Sequence, residues 1–271
     1  MADLASAQTA LRLCSKVRRS VHKDGRMIVI SAMPKSGSTF LARAVAEATG
    51  YQHTYLAYAY GNGEQELYLP NVIDAYGRGT VTQQHFKANQ HNLEILKDYA
   101  IRPVVLVRNI FDALVSVRDH LAQERLDNLP GVHVGTEFRE LEPAQQIDFV
   151  TDMVAPWYVA YFVSWHAADA AGVPFLWLSY EDAAADWPGA VARVLAHGGL
   201  SRPAPDIARA VDVTAQKPRQ HIRLNRGVAG RGESTLSACQ RERVMRLARH
   251  YPSVDFSRIG MRDTNAAALR A

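Results

Sequence analysis

The sequence has little cysteine. Its 271 residues include only Cys14 and Cys239, too few for the disulfide framework of a small secreted domain. It also lacks CxxC, HExxH and similar spacings of metal ligands. We therefore expect free thiols in a reducing compartment and no bound metal.

Long apolar runs are absent as well. No stretch approaches the roughly 18–20 apolar residues that are needed to cross a bilayer. The N-terminus has no apolar segment followed by a small-residue cleavage site of the secretory type. These absences predict a cytoplasmic protein without a membrane span.

The composition is otherwise that of an average globular protein, with 48% apolar and 21% charged residues. Without repeats or linkers, we expect a single domain over 1–271, with a helical extension at 1–26 and a flexible tail at 264–271. The net charge of +4 is uneven, because nine basic and two acidic residues give +7 over 217–249. No nucleic-acid-binding module is recognisable, so we expect no nucleic-acid partner.

Strand-like runs alternate with helical patterns along the chain. Strands are predicted at 27–30, 80–85, 103–107 and 174–179. Helices are predicted at 39–47, 92–99, 110–124 and 143–171, and at 187–197 with Asp186 as its N-cap. This alternation indicates an α/β fold with a mainly parallel central sheet flanked by helices, in which ligands bind beyond the carboxyl ends of the strands.

The loop after the first predicted strand is rich in glycine and hydroxyl residues. It reads Pro-Lys-Ser-Gly-Ser-Thr-Phe over 34–40. Such a loop before a helix offers backbone N–H groups, hydroxyls and the positive end of the helix dipole to an anion. It is not a Walker A loop, because Lys35 precedes Gly37 instead of following a glycine.

Two further residues are placed to bind an anion at the third strand. Arg108 ends that strand, and Ser116 follows eight residues later in the next helix. Alone this pair is weak evidence, since an arginine at a strand end is usually a surface ion pair.

Together, these motifs resemble those of sulfotransferases that use 3′-phosphoadenosine 5′-phosphosulfate (PAPS). The loop at 34–40 is similar to their 5′-phosphosulfate loop, and Arg108 with Ser116 is similar to their 3′-phosphate signature, about seventy residues away. The resemblance extends to Ser179-Tyr180-Glu181-Asp182 and to a glycine-rich loop at 226–230, and it covers roughly residues 27–236. It implies a P-loop NTPase-like fold and 3′-phosphoadenosine 5′-phosphate (PAP) as product.

The resemblance also implies roles for individual residues. Lys35 would neutralise the bridging oxygen of the leaving phosphate. The 5′-phosphate would be held by the donors of the loop, namely Ser36, Gly37, Ser38 and Thr39. The 3′-phosphate would be held by Arg108, Ser116, Arg226 and Gly227. Around the adenine the resemblance implies a stacking ring and two edge residues, namely Phe40, Tyr180 and Thr214. No metal is required.

His85 follows the second predicted strand and is the expected general base. The resemblance assigns this position to the group that takes the proton from the acceptor hydroxyl, and a neutral imidazole suits that task near pH 7. His91 is the weaker alternative, because it falls just before the next predicted helix.

Some positions depart from the family pattern. Gln83 replaces a lysine, for which Lys87 could substitute, and Asn225 replaces an arginine ahead of the closing loop, where Arg223 or Arg231 could compensate. Phe40 replaces a tryptophan, a change that still leaves a stacking ring.

The acceptor and the assembly state are left open by the sequence. Six of the eleven tyrosines fall within 51–76, where they line an acceptor pocket or merely pack an irregular loop. The acceptor is expected to be a small molecule, glycan or lipid. Two other functions stay open. A nucleotide-dependent kinase would need a Walker A lysine and an acidic metal ligand at a strand end, and the sequence shows neither. The other alternative is a catalytically silent nucleotide-binding protein.

Overall fold

The computed structural model describes residues 26–59, 65–123, 129–218 and 230–262. The predicted N-terminal helical extension, the tail at 264–271 and the two glycine-rich-loop residues Arg226 and Gly227 lie outside these ranges.

The core of the fold is one sheet of five parallel strands in the order β2-β3-β1-β4-β5. The strands are β1 Met27–Ala32, β2 Gln52–His53, β3 Thr80–Gln84, β4 Val104–Val107 and β5 Leu176–Ser179. Four of them were predicted, and the fold class is confirmed. The two residues of β2 are both exposed, so they carry no apolar pattern by which a strand could be predicted.

Each face of the sheet is covered by its own apolar cluster. Along β1, Ile28, Ile30 and Ala32 point into one cluster and Val29 into the other. The alternation follows from the two-residue period of a strand. Burial on both faces explains why β1 reads as a continuous apolar run.

Eleven α-helices in the described residues surround the sheet. The first six are α1 Ser38–Thr49, α2 Leu69–Ala75, α3 Gln90–Asp98, α4 Ile110–Gln123, α5 Pro143–Phe149 and α6 Ala155–Ala170. The other five are α7 Tyr180–Ala185, α8 Trp187–His197, α9 Ala204–Ala215, α10 Arg231–Thr235 and α11 Ala238–Ala248. Asp186 caps α8 as predicted, because its carboxylate accepts a hydrogen bond from the Gly189 N–H at 2.9 Å.

The single helix predicted at 143–171 was wrong in one respect. A turn of π-helix at Val150–Val154 separates α5 from α6. The Ala155 N–H donates to the Val150 carbonyl, five residues back, and Pro156 follows. Because proline has no N–H and its ring crowds the carbonyl four residues earlier, the regular α-helical ladder cannot continue through it.

The remaining features concern membranes, metals and cysteine. No helix within the described ranges is long and apolar enough to span a membrane. The same part of the chain contains no cluster of three or more His, Cys, Asp or Glu residues that could hold a metal ion. Cys239 is an exposed free thiol.

Candidate functional site

The loop between β1 and α1 is a tight turn held by its own backbone. The Ser36 N–H and hydroxyl both donate to the Met33 carbonyl, at 3.2 and 2.6 Å, and the Met33 N–H donates to Leu106 of β4 at 2.9 Å. Lys35 adopts the left-handed conformation, with φ of 63°. A lysine there is strained, and at this position the strain is part of the turn that opens the N-terminus of α1.

Gly37 is required by two separate constraints. Its φ of 81° lies in the left-handed region, and a Cβ atom there would lie 2.9 Å from the ring of Tyr180 and 3.3 Å from that of Trp187. Because it is the N-cap residue of α1, this close packing brings two aromatic rings against the start of that helix.

Ser38 is tied to the neighbouring strand by its side chain. Its hydroxyl donates to Oε1 of Gln83 in β3 at 2.8 Å. Gln83 stands where the resembling family has a lysine. In this chain the position therefore serves to fix the hydroxyl of the loop.

Arg108 lies beside the same loop. It is 7% exposed, and its Nη1 donates to the Lys35 carbonyl at 2.9 Å. Its guanidinium lies over the ring of Tyr180, 4.2 Å from the ring centre. Ser116 is buried on α4, two turns into that helix. The loop, Arg108 and Tyr180 thus form one contiguous cluster with a buried positive charge.

Tyr158 of α6 contacts the loop through its hydroxyl group. Its hydroxyl donates to the Pro34 carbonyl at 2.9 Å. Burial raises the pKa of Tyr158 far above its ordinary value, and the nearby charge of Arg108 offsets only part of that rise. The phenol therefore stays protonated near neutral pH and can donate this hydrogen bond.

His85 lies at the same edge of the sheet, at the end of β3. Its Nδ1 is 2.7 Å from the carbonyl oxygen of Ala32, the last residue of β1. A carbonyl oxygen can only accept, so Nδ1 carries the hydrogen and the lone pair of the neutral ring is on Nε2. The His85 backbone N–H donates to Oε1 of Gln65 at 2.9 Å. The alternative base, His91, has its Nε2 2.8 Å from the Leu67 carbonyl.

The tyrosine-rich segment serves two purposes. The ring of Tyr76 packs edge-on against Tyr99, and Tyr51 packs against Gly79. Tyr58 and Tyr68, in contrast, are 73% and 37% exposed and form an edge-to-face pair at 5.2 Å. Some of these rings therefore only pack the segment, while this pair remains accessible on the part of the chain that contacts His85 through Gln65.

The remaining predicted site residues are less well connected to the cluster. Phe40 is buried, and its ring centre lies 4.5 Å from that of Trp187. Thr214 is fully buried on α9, where its hydroxyl donates to the Ala210 carbonyl at 2.8 Å. Arg231 forms an ion pair with Asp119 at 2.7 Å.

Asp112 fixes the chain on the C-terminal side of 219–229. Its carboxylate accepts hydrogen bonds from the N–H groups of Gly230 and Gly232, at 2.7 and 2.6 Å. A Cβ at Gly232 would lie 2.5 Å from Phe111. These hydrogen bonds hold Gly230, which follows the undescribed range, against the start of α4. That helix begins two residues after Arg108.

Several of these contacts were missed from the sequence. Tyr158, Gln65 and Trp187 each reach the site through a partner distant in the chain, and no local motif marks them. Trp187 offered one signal, because it directly follows the predicted N-cap Asp186.

No protein-family model matches the sequence, and no curated protein matches it significantly. Solved structures do. Over 88% of this chain and 90% of the other, the mouse sulfotransferase SULT7A1, crystallised with PAP, superposes with a TM-score of 0.63 at 14% sequence identity. The chain has the sulfotransferase fold. Retinol dehydratase in complex with androsterone and PAP is similar over 88% of this chain and 83% of its own, with a TM-score of 0.58 and 15% identity.

A second structure of retinol dehydratase, with retinol and PAP, gives the same TM-score of 0.58 at 13% identity, over 86% of this chain. At these identities the likeness establishes the sulfotransferase fold and not the activity.

Proposed function

We propose that this protein is a sulfotransferase, which moves the sulfuryl group of PAPS to a hydroxyl or amine of an acceptor and releases PAP. The observation that carries the proposal is the cluster at the carboxyl ends of β1, β3 and β4. The cluster contains the glycine- and hydroxyl-rich loop at 34–40 and the buried Arg108, which donates to that loop. It also contains His85, whose neutral ring carries its hydrogen on Nδ1.

The loop is proposed to hold the 5′-phosphosulfate. Lys35, Gly37 and Thr39 are partly exposed, while Ser36 and Ser38 are buried. The Ser36 hydroxyl holds the turn and the Ser38 hydroxyl is bonded to Gln83. Arg108 and Ser116 are proposed for the 3′-phosphate, with Arg226 and Gly227 added from the undescribed range. Phe40, Tyr180 and Thr214 are proposed to form the buried wall of the site on its adenine side.

The transfer itself is proposed to be an in-line displacement. Nε2 of His85 takes the acceptor proton while the acceptor oxygen forms a bond to sulfur. The bond between sulfur and the bridging phosphate oxygen breaks, and the negative charge that develops there is balanced by Lys35. No metal has a role in this scheme. A cytoplasmic location is also proposed, because a free exposed thiol such as that of Cys239 is typical of a reducing compartment.

The acceptor is proposed to be a small molecule, glycan or lipid with an apolar or aromatic body. The exposed Tyr58 and Tyr68 rings support this choice, because they lie on the segment that contacts His85. The solved sulfotransferase-fold structures with retinol and androsterone hold molecules of that kind.

A direct test of the activity is incubation with PAPS and a mixed panel of phenols, steroids, sugars and simple alcohols. Mass spectrometry should detect a sulfate gain on at least one acceptor together with an equal amount of PAP. Transfer of phosphate from ATP to any member of the panel would favour the kinase alternative instead.

Replacing Gly37 by alanine is expected to weaken PAP binding by at least tenfold and to destabilise the fold by about 1–3 kcal/mol. The left-handed conformation penalises any L side chain, and the new Cβ would press on the Tyr180 ring. Calorimetry with PAP and chemical denaturation measure the two effects.

Gly50→Ala is the matched control for this variant. Gly50 ends the same helix with φ of 71° and has nothing within 4 Å of its Cβ position. It should lose only the part of the stability that the left-handed conformation costs, and keep its affinity for PAP. Equal affinities of the Gly37 and Gly50 variants would contradict the placement of the 5′-phosphate on this loop.

A further inference from the structure

Three aromatic rings and one guanidinium form a row beside the loop at 34–40. Arg108 lies over Tyr180, the ring of Tyr180 is 6.3 Å from that of Trp187, and Trp187 is 4.5 Å from Phe40. Tyr180 and Trp187 both pack over Gly37. One end of the row is therefore cationic, the other is aromatic, and the loop runs alongside.

The backbone of Trp187 is firmly placed. It is the first residue of α8, directly after the N-cap Asp186 and directly before Pro188. The cap bond to Gly189 and the fixed φ of proline hold this turn. The rigid start of α8 therefore holds the indole over the N-terminus of α1.

The three rings differ in what they expose. Tyr180 is 4% and Phe40 is 6% exposed, so neither has a free face. Trp187 is only partly buried. Among these rings it alone offers surface to a ligand, and Phe40, the ring expected from the sequence to stack on adenine, supports the indole from behind.

We infer that Trp187 supplies the stacking face for the adenine of the nucleotide, an inference that rests on the proposed function. When the 5′-phosphate of a nucleotide lies on the loop and its 3′-phosphate lies at Arg108, its base lies at the aromatic end of the row. Every purine has a π-face, and an indole is the largest flat partner a protein can offer it. The substitution of the family's tryptophan by Phe40 is then compensated from another helix.

The experiment compares wild type, Trp187→Ala and Trp187→Phe by calorimetry with two ligands, PAP and ribose 3,5-bisphosphate, which lacks the base. The alanine variant should bind PAP about 10–100-fold more weakly, since base stacking on one ring is worth roughly that much. It should bind the ribose bisphosphate within about twofold of wild type, and the phenylalanine variant should bind PAP within about fivefold of wild type.

Two results would overturn the inference. One is unchanged or tighter PAP binding by Trp187→Ala. The other is an equal loss for both ligands, which would mean that the indole only supports the loop. Failure of the proposed function is separable, because wild type would then show no preference for PAP over ADP, whatever the Trp187 variants do.

Tryptophan fluorescence provides a second measurement that does not depend on the alanine variant folding. PAP should change the emission of wild type and of the control Trp177→Phe. In wild type the indole of Trp177, in β5, donates a hydrogen bond to Asp169 of α6. The change should be absent in Trp187→Phe. A change of wild-type size in Trp187→Phe would contradict the stacking assignment.

Discussion

Replacing His85 by asparagine is expected to lower kcat for sulfuryl transfer by about 10²–10⁴-fold, the usual cost of removing one well-placed acid–base group. Asparagine is chosen because its amide nitrogen can take the place of Nδ1 and still donate to the Ala32 carbonyl. The substitution thus keeps the bond that joins β3 to β1 and removes Nε2 alone. The affinity for PAP should change little, because the base acts on the acceptor.

The pH profile gives this variant a readout that a structural role would not produce. Wild type should lose kcat/KM on the acidic side as the imidazole binds a proton at Nε2. The residual activity of His85→Asn should lack that decline.

His91→Gln is the matched control. The glutamine amide can replace Nε2 of His91 at the Leu67 carbonyl, so the local packing is kept. This variant should turn over like wild type. If His85→Asn retains activity within a few-fold of wild type, or if His91→Gln loses as much, then His85 is not the base.

Replacing Lys35 by methionine is expected to lower kcat by about 10²–10³-fold, the range found when a single donor to a developing oxyanion is removed. Methionine keeps most of the length of the side chain and removes the charge. The backbone carbonyl that accepts from Arg108 is unaffected by the exchange, so the turn should persist. The affinity for PAPS should fall by much less than kcat, because the bridging oxygen of PAPS gains its charge only during transfer.

Lys97→Met is the control for a simple loss of positive charge. Lys97 is exposed in the last turn of α3, and the variant should match wild type in both kcat and PAPS affinity. A Lys35→Met enzyme with wild-type kcat would contradict the role proposed for the ammonium group.

The strand ends were predictable because they depend on local patterns. The apolar runs at β1, β4 and β5 and the β-branched start of β3 are visible in the sequence. A parallel sheet brings the residues that follow these strands to one edge. The position of Lys35, His85, Arg108 and Tyr180 at one edge of the sheet therefore follows from the sequence. The helical pattern at 143–171 was predictable in extent. Its π turn was not, because it lies just before Pro156, which has no N–H to continue the regular ladder.

The contacts between strand ends were not predictable, because they join residues far apart in the chain. Ser38 and Gln83 are 45 residues apart, and Tyr158 and Pro34 are 124 apart. Nothing local marks Gln83 as a partner of the loop hydroxyl, and it looked like a missing lysine. Trp187 shows the same limit, since its position over Gly37 depends on how α8 packs against α1.

The central claim, that the site takes a nucleotide with a 3′-phosphate, is tested most directly by calorimetric titration of the wild-type protein with PAP and with ADP. The two ligands carry the same base and the same number of phosphate groups, and they differ in whether the second phosphate is on the 3′-oxygen. Arg108 and the loop predict that PAP binds at least tenfold more tightly. Equal affinity, or a preference for ADP, would contradict the claim.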